Sequence, residues 1–187
     1  MDDIHPPGPS SGFTLFELML AVLALAVLLV IAAPSLGMLR DTVRLQADTR
    51  RFLAAIQLAR SEAIRRNQAV SLCPAGAPET AGGSCADSYA RGWMVFANAD
   101  GDRVVDAGED RLLRVFAGLR PGFELRNRSG TRVPFETVTY RPDGSSHSNR
   151  TFLFCPPRGS RARPLAVVVN IMGRARLAKD WGRCPWA

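Results

Sequence analysis

The residues with the most capacity for chemistry in this 187-residue chain stand near its C-terminal end. The run LAVVVNIMGRARLAKDWGRCPWA sets Arg174 and Arg176 two apart, with Lys179, Trp181 and Arg183 following. If Met172 and Gly173 form a turn and a strand begins at Arg174, period-two alternation puts both guanidiniums on one face and Ala175 and Leu177 on the other. Paired guanidinium forks suit phosphate oxygens, and Lys179, Arg183 and the amphipathic Trp181 would extend the footprint. The same arginines on an exposed edge strand would also discourage edge-to-edge aggregation, a role that needs no ligand. Arg158, Arg161 and Arg163, in PPRGSRARP, join the patch if the fold brings that loop near.

A second constellation is acidic. Asn98, Asp100, Asp102, Asp106 and Glu109 fall at positions 1, 3, 5, 9 and 12 of a calcium-loop spacing. Position 6, where such a loop needs Gly for its sharp turn, is Arg103; Gly101 comes two places early and no helices flank the run. The segment therefore reads as a solvated hairpin connection, and no metal or cofactor is expected. Catalysis is not expected either, because beyond residue 12 the only histidine is His147, and no GxSxG, HExxH or P-loop pattern occurs.

Four cysteines, Cys73, Cys85, Cys155 and Cys184, make an even set that suits two disulfides in a chain leaving the cytoplasm. Three connectivities exist. Closing a Gly/Ala/Pro loop favours Cys73 with Cys85, and tying down the chain end favours Cys155 with Cys184. Without a CxxC pair, a zinc site is the weaker reading.

These groups need elements to position them. Residues 13–33, FTLFELMLAVLALAVLLVIAA, carry one charge, Glu17, and Pro34 closes the run. At 1.5 Å per residue such a helix reaches about 30 Å, the thickness of a bilayer's hydrocarbon core. An unpaired carboxylate there costs at least a few kcal/mol, so Glu17 needs a partner or an interfacial position. From 35 to 67 the sequence stays helical, with Leu45, Phe52, Ile56, Ala59 and Ala63 recurring at spacings near three and four. Arg44, Arg51, Arg65 and Arg66 fall largely outside that stripe, and the arginines of LARSEAIRRNQAVSLC, Arg60, Arg65 and Arg66, read as a solvated face instead of a ligand site. Short β-rich runs follow at 69–72, 93–97, 111–116, 123–126, 137–140, 151–154, 165–171 and 174–177, which suit one or two antiparallel sheets packed on the helix.

Net charge is +7 and pI about 10.2, and residues 150–187 alone carry +7, which favours anionic partners or anionic lipid. All the cationic residues but Lys179 are arginine, a bias that a GC-rich genome would also produce.

The stretch GFTLFELMLAVLALAVLLVIAAP resembles the type III signal of type IV pilins and pseudopilins, with Gly12 before the cut, Phe13 after it, Thr14 next, and Glu17 and Pro34 in their places. The resemblance implies cleavage between Gly12 and Phe13 by a prepilin peptidase, methylation of the new amino terminus, and pairing of Glu17 with the Phe13 ammonium of a neighbouring subunit. LARSEAIRRNQAVSLC, GWMVFANADGDRVVDAGED and TYRPDGSS resemble the GspH/FimT minor-pilin family, and GRAR resembles the C-terminal motif implicated there in holding DNA during natural transformation. Carried over, Arg174 and Arg176 become the principal DNA contacts, with Lys179 and Arg183 supporting them.

The implied fold is α+β and type IV pilin-like: a leader at 1–12, a transmembrane or filament-core helix at 13–34, its amphipathic continuation at 35–67, and a periplasmic β-rich domain at 68–187. Implied partners are other major and minor pilins, the prepilin peptidase, the inner membrane and double-stranded DNA; the implied location is the inner membrane, single-pass, then an extracellular pilus. Two other roles fit the same resemblance, a structural minor pilin that primes assembly for twitching motility and a type II secretion pseudopilin. One feature opposes the topology. The leader has no Lys or Arg while Arg40 and Arg44 follow the helix, so the positive-inside rule would keep the domain cytoplasmic. The cleavage motif and the cysteines favour the periplasm, and the leader then reads as an atypical start.

Overall fold

The structure is a computed structural model that describes residues 12, 14–76, 85–100, 102, 105, 106 and 108–186, apart from the side chains of 31–34. Two compact units divide it, Met1–Gly37 and Met38–Ala187. One long helix, α1 (Leu15–Arg66), contributes to both.

In the first unit every large apolar side chain of Leu15–Val30 is at least half exposed, with Leu15 at 73% and Val30 at 76%. So much apolar surface, on all sides of one helix, demands a cover of lipid or of other subunits. No single helix among the described residues is long and apolar enough to cross a membrane, although Leu15–Val30 and Ser35–Arg66 together meet that criterion by length and composition.

In the second unit the predicted stripe is the buried face of α1: Leu45, Phe52, Ile56, Ala59 and Ala63 are each at most 1% exposed. Asn67, in the left-handed region at φ 52°, ends the helix, and the Gln68 N–H turns back to donate to Ala63 O at 3.3 Å. Among the described residues eight strands follow: β1 (Val70–Pro74), β2 (Gly92–Ala97), β3 (Arg111–Ala117), β4 (Glu124–Arg126), β5 (Val138–Tyr140), β6 (Arg150–Cys155), β7 (Leu165–Val169) and β8 (Ala175–Lys179). They form two antiparallel four-stranded sheets, ordered β3-β2-β1-β5 and β4-β6-β7-β8.

Phe52 shows how one helix serves two sheets. Its ring lies 5.1 Å from Trp93 of β2 and 4.9 and 5.5 Å from Phe152 and Phe154 of β6, with Tyr89 at 5.5 Å. Edge and tilted contacts of this kind add to the area that the rings bury.

Each sheet also has an outer apolar face. Cys73, Met94 and Phe96 form one, and Cys73–Cys85 pins the chain over it; Leu153, Cys155, Ala166 and Ala178 form the other, and Cys155–Cys184 holds the C-terminal segment with Trp181 and Trp186 against it. The disulfides join the pairs that loop closure favours in the sequence.

Candidate nucleic-acid interface

The GRAR segment begins in a tight turn between β7 and β8. Asn170 closes it three times: its carbonyl accepts from Gly173 N–H at 2.8 Å, its N–H donates to Arg174 O at 3.0 Å, and its Oδ1 accepts from Arg174 N–H at 2.8 Å. Arg174 therefore ends the turn instead of opening the strand, and β7 stops at Val169, short of Ile171, because at the next pair the Arg174 N–H goes to Asn170 Oδ1 while the Asn170 carbonyl is taken by Gly173. Gly173 is buried at φ 74°, and a Cβ there would overlap the Gly144 carbonyl oxygen and stand 3.1 Å from Tyr140 Cε1. That carbonyl is itself fixed, accepting from Arg60 Nε at 3.0 Å. The first residue of GRAR is thus glycine for packing, whatever the arginines do.

Register decides where the cations go. Arg176 pairs with Val168 and Ala178 with Ala166, whose side chains belong to the outer face of the second sheet, so Arg176 shares that face. Its guanidinium stands 5.0 Å from the Trp181 ring centroid, and Arg128 stands over the same ring at 4.7 Å. Arg128, Trp181 and Arg183 line one open cleft of about 920 Å³ together with Glu136, Arg150 and Asp180.

Lys179 pairs with Leu165 and, three residues from Arg176, faces the other way. It lines a separate cavity with Arg161 and Arg163 against Met38, Thr42 and Leu45 of α1. Arg174 and Arg176 line a third cavity with Arg60 and Tyr140. The four expected DNA contacts therefore do not make one row. Arg174 and Arg176 hold adjacent stations on the β8 edge, Arg183 lines the cleft that Trp181 also lines, and Lys179 sits apart. The 158–163 loop is split as well: Arg161 and Arg163 join Lys179, while Arg158 stacks over Trp186 at 5.4 Å.

Among the described residues Arg128, Arg174, Arg176, Lys179 and Arg183 make no ion pair, whereas Arg51, Arg65, Arg66, Arg120, Arg126, Arg132 and Arg150 are engaged by carboxylates. The solvated-face expectation for α1 holds for Arg65, which is 65% exposed and grips Glu62 along with Arg66. Hydrogen bonds from Arg65 and Arg66 hold the Glu62 carboxyl below the usual carboxylate range. It fails for Arg60, which is half-buried and donates Nε–H to Gly144 O at 3.0 Å; Arg51, outside that segment, donates to Gly118 O at 2.7 Å, reaches Asp48 at 3.3 Å and stacks over Trp93. Sequence reasoning missed Arg128, which has no local pattern around it, and read Arg60 only as part of a solvated helix face; topology alone brings both to the β8 edge.

The profile of the family described as type II transport protein GspH matches residues 48–173. The chain belongs to the GspH family. The match stops at Gly173, so Arg174 and Arg176 follow it directly. The fold is similar to that of the type IV minor pilin FimU of Pseudomonas aeruginosa (strain PAO1), at 22% identity and TM-score 0.50 over 72% of this chain and 87% of that one. It is also similar to the minor pseudopilin EpsH from the type 2 secretion system of Vibrio cholerae, at 15% identity and TM-score 0.50 over 73% of this chain and 97% of that one. A search of curated proteins finds no match. In this GspH-family chain the expected architecture, a long helix packed on a small antiparallel β domain, is therefore the observed one.

Two other predicted sites lie on this GspH-family fold. In the acidic connection, Asp100, Asp102 and Asp106 bring ligand atoms within 4.8 Å of one another. Asn98, counted with them from spacing, is instead buried and donates to Ser71 Oγ at 3.0 Å, while Asp110, not counted, accepts from the N–H groups of Ala99 and Asp106. Partial burial, then the charges of Asp102, Asp100 and Asp110, raise the Asp106 carboxyl above its ordinary range.

At the processing site Gly12 is exposed, and Phe13 lies outside the described residues. Glu17 Oε2 accepts from Thr14 N–H at 3.0 Å and Thr14 Oγ1–H at 3.1 Å, and Thr14 Oγ1 accepts from Glu17 N–H at 3.2 Å. This is a capping box. It gives the carboxylate a partner within its own chain.

Proposed function

We propose that this GspH-family minor pilin or pseudopilin binds double-stranded DNA through its phosphates, at the β8 edge where Arg174 and Arg176 stand. The observation that supports this reading is that, among the described residues, Arg174, Arg176, Arg128 and Arg183 make no ion pair, with Arg176 and Arg128 stacked on the Trp181 indole, Arg183 lining the same cleft as that indole, and Arg174 lining the neighbouring cavity with Arg176. Phosphate contacts position a protein on DNA without reading sequence, and no helix among the described residues resembles a groove-entering one, so the binding is non-specific and salt-sensitive. Natural transformation is the process that such a surface would serve.

The subunit reaches that surface by the route its leader implies. A peptidase cuts between Gly12 and Phe13, the new amino terminus is methylated, and the apolar helix stays in the inner membrane with the Met38–Ala187 unit in the periplasm. The chain then joins other major and minor pilins in a pilus. Glu17, satisfied by Thr14 while the subunit is alone, exchanges that bond for the Phe13 ammonium of a neighbour.

The exposed apolar surface of Leu15–Val30 supports a second reading, a purely structural subunit of a pilus or of a type II secretion pseudopilus, because assembly alone would cover it. An Arg174→Ala/Arg176→Ala strain separates the two. Loss of DNA uptake with pili retained supports the receptor; normal uptake removes it.

A further inference from the structure

We infer that the cavity lined by Arg161, Arg163 and Lys179 takes the headgroup of an anionic phospholipid while the subunit is held in the membrane. The inference rests on the membrane placement proposed above and not on the DNA reading. The cavity has a volume of about 330 Å³ and is lined as well by Met38 and Thr42 of α1. All of its lining belongs to the Met38–Ala187 unit.

Register and one hydrogen bond bring these cations together. Lys179 pairs with Leu165, which sets the end of β8 beside residues 161–165. The Ser160 hydroxyl donates to Asp41 Oδ2 at 2.7 Å, fastening the loop to α1 and giving that acid a partner other than arginine. Arg161, Arg163 and Lys179 are exposed and make no ion pair among the described residues. Asp180 is the one carboxylate in the lining, so three cations against one acid leave an excess of two positive charges. Two guanidiniums and an ammonium select a phosphate-class oxyanion.

Two observations favour a lipid headgroup over a phosphate of DNA. Met38, which lines the cavity, comes five residues after Ala33, where the apolar run ends, and α1 is helical between them. Five residues make about 8 Å of helix. That is about one Debye length at physiological salt, so the charge of a leaflet holding the apolar run reaches the cavity. The second observation is apolar. Met38, Leu39 and Val43 are exposed along the stretch of α1 that also exposes Arg40. Cations interleaved with exposed apolar side chains suit the boundary between headgroups and acyl chains, whereas a phosphodiester backbone gives the apolar ones nothing to cover them. Arg40, which the positive-inside rule would keep in the cytoplasm, gains an anionic partner on the periplasmic side.

The test uses the full chain as wild type, as an Arg161→Gln/Arg163→Gln/Lys179→Gln variant and as an Arg174→Ala/Arg176→Ala variant. Flotation with neutral phosphatidylcholine vesicles reads the membrane placement by itself; a chain that does not float overturns that placement and the inference with it. Lipid preference is read separately, by native mass spectrometry of protein released from non-ionic detergent micelles holding equal phosphatidylglycerol and phosphatidylcholine. A cation near an anionic leaflet is worth roughly fivefold in affinity, so an excess of two predicts a preference for phosphatidylglycerol of roughly twentyfold. The triple variant should lose that preference yet float and melt as the wild type does, because exposed side chains without ion pairs hold little of the fold. The Arg174→Ala/Arg176→Ala variant should keep the preference. No preference in the wild type, a triple variant that retains it, or its loss in the Arg174→Ala/Arg176→Ala variant overturns the inference and leaves the membrane placement standing. Displacement of phosphatidylglycerol from the wild type by a short DNA duplex overturns it too, since the same cations then serve DNA.

Discussion

Replacing Gly173 with alanine separates what folds the GRAR segment from what it binds. The backbone there is at φ 74°, where an L-residue costs about 1 to 2 kcal/mol more than glycine. The new Cβ overlaps the Gly144 carbonyl oxygen, so backbone must shift, a disturbance of about 1 to 3 kcal/mol. That oxygen cannot retreat freely, because its bond from Arg60 would lengthen. The lower entropy of the unfolded alanine chain returns about 0.4 to 1 kcal/mol in the variant's favour. The net loss is about 3 kcal/mol, which for a chain of this size lowers the melting midpoint by roughly 6 to 12 °C. Arg174→Ala/Arg176→Ala removes two exposed side chains without ion pairs and should stay within about 0.5 kcal/mol of wild type. Near-ultraviolet circular dichroism during thermal unfolding reads both variants. A Gly173→Ala protein as stable as wild type would refute the packing account of that glycine.

Three further outcomes follow from the fold. Phe52→Ala leaves a hole between both sheets and costs about 3 to 5 kcal/mol by urea unfolding; a loss below about 1 kcal/mol would show that the two sheets do not share this core. Exchanging Cys155 and Cys184 for serine opens a 29-residue separation and Cys73 with Cys85 one of 12, so the losses are about 3.6 and about 3 kcal/mol and fall in that order; the reverse order contradicts the chain-entropy explanation. Asp106→Asn tests the acidic connection through pH. A raised folded pKa means that the stability contributed by the Asp106 carboxyl is present below the ordinary carboxylate range and lost as pH rises through the raised value. The variant should match wild type near pH 3 and melt higher at pH 7, and a difference independent of pH would contradict the repulsion.

Much of this architecture was legible because local rules governed it. The α1 stripe followed from helical spacing, and each of the eight strands lay within two residues of a β-rich run. Strand ends moved where a side chain took over a backbone bond, as Asn170 does at the close of β7. Loop closure pointed to the disulfide partners from spacing alone. The candidate site was legible only in part. Arg174 and Arg176 were visible as a motif, but alternation cannot tell which neighbours a strand acquires, so the split of Lys179 from Arg176 needed the β7–β8 register. Arg128 and Arg60 come from distant elements. Asn98 misled for the opposite reason: its spacing suited a metal loop, while β-sheet packing turned it inward to Ser71.

The central claim is that unpaired arginines at the β8 edge bind DNA phosphates. Binding of the full chain in non-ionic detergent to a short duplex, measured across a salt series beside the Arg174→Ala/Arg176→Ala variant, tests it most directly. Four phosphate contacts would give a slope of log affinity against log salt of about −3.6, and loss of two arginines should reduce its magnitude by about 1.8 and weaken binding on every sequence alike. A variant with wild-type affinity and slope, or a wild type that does not bind, would contradict the claim.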